Sequence, residues 1–173
     1  TGPTTLGADA VLTGSLVTFN STFAGGSKSL TITGNAEFDA AVSGLSSLNV
    51  SGTTQLDGGA ITSIGTQTYQ GAVTQSVDTA LSASLVTFNS TFAGGTKSLT
   101  ITGNAEFDAA ATGLSTLNIS GTTKLDGGTV SSTGTQTYVG AVTQSVDTAL
   151  TTSLVTFNST FAGGSKSLTI TGN

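Results

Sequence analysis

Apolar and polar residues alternate in short stretches along the whole chain. The stretches LTITG at 30–34 and LNVSG at 48–52 place an apolar side chain at every second position. A period of two is typical of β-strands that bury one face. Thr, Val, Ile and Phe favour strands, and the glycines between the stretches favour turns. The pattern predicts an all-β protein built from many short strands.

A long sequence repeat organises the chain. The stretch LVTFNSTFAGGSKSLTITGN at 16–35 returns at 85–104 with one change, and again at 154–173. This is a 69-residue period, and the units 16–84 and 85–153 differ at 13 positions. We divide the chain into tandem repeats 1–69 and 70–138 and a partial repeat 139–173. We expect residues 1–173 to form a single segment that is a fragment of a longer array.

A shorter phrase, an apolar residue followed by Asp or Ala and two small residues, subdivides each repeat. It starts at Phe23, Phe38, Leu56 and Val77, so four phrases averaging about 17 residues fill one repeat. A unit this short cannot bury its own apolar side chains and must stack on copies of itself. We therefore predict a β-solenoid, a parallel β-helix of about ten coils with four coils per repeat.

Stacked coils place like positions above one another. We expect one interior column to hold the apolar residues of the phrases and a second column to hold the leucines of the alternating stretches. The first column is Phe23, Phe38, Leu56, Val77, Phe92 and Phe107, and the second is Leu30, Leu48, Leu99 and Leu117. A two-sheet sandwich is the alternative fold, but a sandwich does not need a phrase that recurs in every coil.

The composition argues against several classes of binding partner and site. Charged residues are 8% of the chain, against about 25% in an average protein. With four Lys and no Arg, no basic patch could follow a phosphate backbone, so we expect no nucleic-acid partner. No run of 18 apolar residues is present, so we expect no membrane-spanning segment. The absence of Cys excludes disulfides and thiolate metal sites.

Three stretches resemble a known family: AVLTGSLVTF at 10–19, LNVSGTT at 48–54 and TYQGAVT at 68–74. They are similar to the repeat region of filamentous-haemagglutinin-like large bacterial exoproteins, and the resemblance covers essentially the whole chain. It implies a right-handed parallel β-helix, secretion to the bacterial cell surface, and a role in adhesion, cohesion or surface filaments. It transfers no functional residue, because the repeat region offers no motif of functional residues to match.

An Asp recurs within or beside the phrase. Stacked carboxylates suit Ca²⁺, which takes six to eight oxygen ligands. An Asp that follows a strand also caps a turn by accepting a backbone N–H. We favour the cap, and keep Glu37, Asp39, Glu106 and Asp108 as weak calcium candidates. The recurring residues are Asp9, Asp39, Asp57, Asp78, Asp108, Asp126 and Asp147.

The same carboxylates raise the question of catalysis. Glu37 and Asp39 point to the same side of a strand, and the pair returns as Glu106 and Asp108. Such a pair suggests glycoside or polyuronide chemistry, but general acid–base catalysis needs carboxylates in distinct environments. No Arg, His or Tyr is clustered with either pair. We therefore expect no catalytic residue, no cofactor and no enzymatic activity.

Five Asn residues stand in Asn-x-Ser/Thr, the acceptor pattern for a sugar in a secreted protein. A turn or ladder Asn in a chain rich in Ser and Thr is the alternative explanation, and we favour it. The residues are Asn20, Asn49, Asn89, Asn118 and Asn158.

Two functions are open. In the first, the chain is a structural rod or filament segment of a giant extracellular bacterial surface protein, and its partners are further copies of itself. In the second, it is an adhesive module whose side face recognises a cell-surface glycan or a host surface. Binding surfaces usually expose aromatic residues or charge clusters, and only Tyr69 and Tyr138 are candidates here. We therefore expect the structural role.

Overall fold

The computed structural model describes residues 4–172, which form 23 β-strands and no helix. The strands are β1 (Thr4–Thr5), β2 (Ala10–Phe19), β3 (Phe23–Ala24), β4 (Ser29–Phe38), β5 (Val42–Leu45), β6 (Ser47–Val50), β7 (Thr54–Leu56), β8 (Ala60–Ser63), β9 (Thr66–Tyr69), β10 (Val73–Gln75), β11 (Thr79–Phe88), β12 (Phe92–Ala93), β13 (Leu99–Phe107), β14 (Ala111–Leu114), β15 (Leu117–Ile119), β16 (Thr123–Leu125), β17 (Thr129–Ser132), β18 (Thr135–Tyr138), β19 (Val142–Gln144), β20 (Thr148–Thr151), β21 (Leu154–Phe157), β22 (Phe161–Ala162) and β23 (Leu168–Thr171).

The strands form three parallel ladders, each nine strands deep, which we call the first, second and third side. The chain visits the sides in this order, so one turn uses one strand segment from each. The long strands β2, β4, β11 and β13 run through a bend and supply two sides each. The first side contains β1, β3, β5, β8, β15, β18 and β21 and the first halves of β11 and β13. The second side contains β6, β9, β16, β19 and β22, the first halves of β2 and β4, and the second halves of β11 and β13. The third side contains β7, β10, β12, β14, β17, β20 and β23 and the second halves of β2 and β4.

Hydrogen-bonded neighbours in successive turns are separated by 18, 19 or 20 positions along the chain. On the first side, for example, Phe23 lies beside Thr4 below and Val42 above. Residues 4–172 therefore make about nine turns, and the predicted parallel β-solenoid is confirmed. The structure has about nine turns and the sequence predicted about ten, because the average spacing of the short phrase is slightly less than one turn. The right-handed sense of the winding stays a prediction.

The 69-residue repeat does not contain a whole number of turns. One repeat spans eleven strand segments, and each turn uses three, so a repeat makes three and two-thirds turns. The predicted four coils per repeat are therefore wrong. The recurring LVTF shows the consequence: it lies on the third side at 16–19, on the second at 85–88 and on the first at 154–157. Each repeat moves the same sequence to a different side.

Inward-pointing side chains form vertical files, but not the files expected from the phrase. Phe38 and Leu56 are neighbours on the third side, as predicted. Phe23 instead lies in a file of the first side with Val42 and Ile61, so the predicted single column is wrong. The physical reason is that each corner, where the chain bends from one side to the next, suits an apolar residue followed by small residues, whereas a complete turn makes no such demand of its own. The phrase therefore marks a subset of the corners, and a turn has three of them.

Two further expectations about the core also change. Leu30 pairs with Leu48 on the second side, whereas Leu99 pairs with Leu117 on the first. The leucines thus form two files, each with the predicted neighbours, instead of one column. Val77 is 36% exposed, because it lies at a corner between β10 and β11 and not in the interior.

Stacked aromatic rings fill the middle of the solenoid. Tyr69, Phe88 and Phe107 follow one another in a file of the second side, with ring centroids 5.4 and 5.2 Å apart and nearly parallel planes. Phe92, at the start of the third side in the same turn, meets Phe88 edge-on at 5.0 Å. All four side chains are buried. Such contacts contribute about 0.5–1.5 kcal/mol per pair beyond the burial of area.

A buried amide lies beside this stack. Gln67 points inward, and its Nε2 donates to the carbonyls of Ile61 and Ser82, both at 3.0 Å, so it links two turns. The Tyr69 hydroxyl donates to Gln67 Oε1 at 3.1 Å, and burial raises the pKa of Tyr69. The second repeat builds the same arrangement around Gln136. The sequence feature that could have indicated this buried hydrogen bond is the motif TQTY, in which Gln and Tyr alternate with Thr.

The turn at residues 94–97 contains a strained residue. The Lys97 N–H donates to the Gly94 carbonyl at 2.8 Å, and Gly95 and Thr96 between them have φ values of +56° and +63°. A left-handed conformation is costly for a β-branched side chain and much less so for Asn. We expect Thr96→Asn to raise the free energy of unfolding by about 1 kcal/mol in denaturant titrations. Thr100→Asn, within a strand, should lower it, and a loss at position 96 would contradict the assigned turn.

Candidate functional site

Two shallow grooves of the same construction lie on the outer surface. The first is on the third side and has a volume of about 480 Å³; the second is on the second side and has a volume of about 460 Å³. Every residue that lines the first has its counterpart one repeat later in the second. The polar or large lining residues are Leu16, Asn35, Glu37, Thr53, Gln55 and Thr74 in the first groove, and Leu85, Asn104, Glu106, Thr122, Lys124 and Thr143 in the second.

The strand pattern places the polar groups of the first groove on the outside. Glu37 alternates with the inward-facing Ala36 and Phe38, and Gln55 is its neighbour in the next turn. Asn35 stands where the second side bends into the third, and its Oδ1 accepts a hydrogen bond from the Thr53 N–H at 2.9 Å. The groove is therefore lined by carboxylate, amide and hydroxyl groups held by three consecutive turns.

Three carboxylates meet beside the first groove. Glu37, Asp39 and Asp57 each offer an oxygen, and these oxygens lie within 4.8 Å of one another. Gln55 Nε2 donates to Asp57 Oδ2 at 2.5 Å, and the Ser76 hydroxyl donates to Asp57 Oδ1 at 2.6 Å. The predicted pair Glu37 and Asp39 thus lies together, and the structure adds Asp57. We call these three residues the first carboxylate group.

The second carboxylate group consists of Glu106, Asp108 and Asp126. Here Lys124 replaces Gln55, and its Nζ lies 2.5 Å from Glu106 Oε1 and 2.7 Å from Asp126 Oδ2. Burial and the neighbouring Glu106 raise the pKa of Asp108. Burial would also raise the pKa of Asp126, but hydrogen bonds from Lys124 and Ser145 outweigh it and lower that pKa. The two groups therefore share one geometry and differ by one positive charge.

Carboxylate oxygens at these distances suit a hard cation, but Ca²⁺ takes six to eight oxygen ligands and each group offers three carboxylates. In the second group the Lys124 ammonium already neutralises part of the charge. In the first group Gln55 supplies only a neutral amide. Glu37, Asp39, Glu106 and Asp108 stay weak calcium candidates, with no metal site expected. Asp57 lies with the first pair and Asp126 with the second.

The two groups are natural controls for each other. We expect Gln55→Lys to raise the free energy of unfolding at neutral pH by about 0.5–1 kcal/mol, because it adds the ion pairs of the second group to the first. Lys124→Gln should lower it by a similar amount. Urea titrations of both variants at low and at high salt measure the effects, which should shrink as salt screens the charges. Equal stabilities at low salt would contradict the assigned ion pairs.

The remaining aspartates cap turns, as predicted. Asp9, Asp78 and Asp147 each accept the backbone N–H of a Ser in the next turn, at Oδ1 distances of 2.8, 2.8 and 2.9 Å. These hydrogen bonds lower the pKa of each carboxyl. The caps lie at different corners, because they occupy equivalent positions of successive repeats. The recurring aspartates therefore do not stack in one column.

The Asp78 cap predicts a pH dependence. Since its pKa is lower in the folded state, the carboxylate stabilises the fold fully above its unfolded pKa near 3.8, and this contribution declines as the pH falls from that value through the lower pKa of the folded state. We expect Asp78→Ala to lower the melting temperature more at pH 7 than at pH 3. Asp78→Asn keeps an acceptor oxygen and should lower it less. A deficit of Asp78→Ala that is the same at both pH values would contradict the charged cap.

The two Tyr residues and the five Asn-x-Ser/Thr residues, which the sequence offered as surface candidates, differ in exposure. Tyr69 and Tyr138, the candidates for exposed aromatics, are buried. Asn49 is half-buried and its Oδ1 accepts from Gln70 Nε2 at 3.1 Å. The exposed members of the Asn-x-Ser/Thr set are Asn20, Asn89, Asn118 and Asn158.

Asp57 and Asp126 could have been recognised only with the correct register. Asp57 lies one short turn after Asp39, and the sequence alone did not show which Asp residues share a corner.

No helix within residues 4–172 is long and apolar enough to cross a bilayer. Comparison of the chain with models of protein families, with curated proteins and with solved structures finds no match.

Proposed function

We propose that the chain is a rod segment of a large secreted bacterial surface protein, where it serves as a stalk, sheath or fibre that supports adhesion or cohesion between cells. The support is that each repeat adds turns to a continuous solenoid and adds no separate domain. A rod of this kind gains length by duplication of its repeat, and its stability grows with the contacts between neighbouring turns.

One observation carries the proposal: the ladders run through the junction between the repeat units 16–84 and 85–153. The second copy of the twenty-residue stretch starts at Leu85, but β11 continues from Thr79 to Phe88 across that point. On either side β11 pairs with β8 and β9 below and with β13 above. No seam or linker separates the repeats here, so added repeats lengthen the rod without a hinge.

Electron microscopy of the producing cells tests this function. An antibody raised against the 69-residue repeat should label thin filaments that project from the cell surface, and purified filaments should have a constant width. Label confined to the cell interior, or to compact particles, would contradict the proposal. A second measurement is independent of the cell: in small-angle scattering, a chain with one more repeat should be about 18 Å longer at constant cross-section.

An adhesive module is the second candidate, and the two recurring grooves favour it. Their carboxylates, amides and hydroxyls could bind the hydroxyl groups of a glycan. A glycan array separates the two functions: a structural rod should bind none of the glycans. If a glycan binds, Gln55→Ala with its counterpart Lys124→Ala should abolish binding, whereas exposed Ser84→Ala, outside both grooves, should not.

A further inference from the structure

The second carboxylate group shows which chemical group its geometry accepts. The Lys124 ammonium lies between two carboxylates, with Nζ 2.5 Å from Glu106 Oε1 and 2.7 Å from Asp126 Oδ2. The hydrogen bonds to Asp126 and Glu106 raise the pKa of Lys124, because the carboxylates stabilise the charged form of the amine. In this copy of the repeat, the arrangement therefore holds a primary ammonium supplied by the chain itself.

The first carboxylate group has the same frame without an ammonium from the chain. In both groups the carboxylate oxygens lie within 4.8 Å of one another, and one ammonium with N–O distances of about 2.7–2.9 Å can bridge two such oxygens. Gln55 stands in place of Lys124, and its neutral amide donates to Asp57 at 2.5 Å. Glu37 accepts a long hydrogen bond from the Thr18 hydroxyl, at 3.3 Å. The first group therefore keeps negative charge that Lys124 balances in the second.

The groove beside the first group adds neutral polar partners to this charge. Glu37 belongs to both the carboxylate group and the lining of the first groove. The exposed hydroxyls of Thr53 and Thr74 and the amide of Asn35 line the same groove, and Leu16 adds an apolar surface. Its volume of about 480 Å³ lies within the range of about 300–1,000 Å³ that small-molecule sites have. This combination suits a ligand that carries one ammonium and several hydroxyl groups.

We propose that the first groove binds an amino sugar, whose protonated primary amine lies against Glu37 and whose ring hydroxyls pair with Asn35, Thr53 and Thr74. This inference rests on the adhesive candidate function and names a ligand class for it. The second groove does not take this ligand, because Lys124 already fills the position of the amine. A lysine side chain of a protein partner offers the same ammonium, but its aliphatic stem makes no hydrogen bond with the hydroxyls and amide of the groove.

Titration of the ¹⁵N-labelled chain with glucosamine at pH 6, followed by NMR, tests the ligand class. We expect shifts confined to the first groove. N-acetylglucosamine keeps the ring hydroxyls and lacks the charge, whereas N-acetyl-lysine amide keeps the ammonium and lacks the hydroxyls. Each should bind at least tenfold more weakly than glucosamine, and glucosamine binding should weaken as salt screens the charges. Equal affinity for glucosamine and either of the other two probes would overturn the proposal.

Two exchanged variants test the position of the amine. Gln55→Lys supplies an ammonium to the first group and should abolish glucosamine binding, while the spectrum shows that the chain stays folded. Lys124→Gln frees the second group and should create a second site, with new shifts around Glu106. Binding that survives in Gln55→Lys, or the absence of a second site in folded Lys124→Gln, would overturn the proposal. Either result would leave other glycans to the glycan array and the rod function to electron microscopy.

Discussion

Phe88→Ala is expected to lower the free energy of unfolding by about 3–5 kcal/mol, the range for truncation of a buried aromatic residue. Phe88 is 0% exposed and contacts aromatic rings in three directions: Tyr69 below, Phe107 above and Phe92 at its edge. Neighbouring turns cannot close the resulting cavity, because the strand ladders hold their spacing. Denaturant unfolding followed by circular dichroism measures the loss.

Phe157→Ala is the matched control, since Phe157 occupies the same position of the next LVTF stretch. Phe157 is only partly buried, and its ring stacks on Tyr138 alone along the file, at 5.3 Å, with Phe161 beside it at 5.2 Å. We expect its truncation to cost less than half as much as that of Phe88. Equal losses would mean that the local sequence, and not the number of covering turns, determines the stability.

Gly103→Ala is expected to cost about 3 kcal/mol or more, since it combines backbone strain with a steric overlap. Gly103 has a φ of +124°, and a Cβ at this position would lie 1.8 Å from the Ala83 carbonyl oxygen. The overlap arises at a β-bulge, where Ala83 and Ser84 of β11 face the single residue Gly103 of β13. Neither backbone can move without breaking the ladders on both sides of the bend.

Gly113→Ala separates strain from overlap. Gly113 also has a positive φ, +69°, but the nearest atoms to an added Cβ are 3.9 Å away. We expect it to cost only the strain, about 1–2 kcal/mol. Thermal unfolding of both variants measures the difference, and a cost at Gly103 no greater than that at Gly113 would contradict the close approach of the two turns.

The sequence predicted the strands well because strand formation is local. Alternation identified the strand that holds Leu30 and Ile32 and the strand that holds Leu48 and Val50. Neighbours such as Phe38 and Leu56 were also correct, because that one spacing of the phrase happens to equal a short turn of the solenoid. The solenoid itself followed from the repeat, since units without their own core must stack.

The register could not be predicted in the same way. Phe23 and Phe38 each begin a copy of the phrase, but they lie on different sides. The ring of Phe19 lies 5.1 Å from that of Phe23 and 5.0 Å from that of Phe38. A phrase that suits one corner suits all three corners of a turn, so its spacing does not report the length of a turn. Only the hydrogen-bonded neighbours in adjacent turns determine that length.

The same limitation applied to the candidate site. Glu37 and Asp39 were identified because they are close together on one strand, a local relation. Asp57 joins them through the register of the next turn, and Lys124 compensates its group only because it lies beside Glu106 in the ladder. Charges that meet across turns are therefore found only after the offset between neighbouring turns is known.

Disulfide formation between adjacent turns tests the register most directly. In the structure, exposed Ala93 lies beside exposed Thr112 of the next turn on the third side. The spacing of the phrase would instead place Ala93 beside Asp108. Neighbouring Cα atoms of parallel strands, about 4.8 Å apart, are within the range of a disulfide. We expect the Ala93→Cys/Thr112→Cys variant to form an intramolecular disulfide under mild oxidation, detected by peptide mass spectrometry, and the Ala93→Cys/Asp108→Cys variant to remain reduced. A disulfide in the second variant and none in the first would contradict the register that defines the turns of this solenoid.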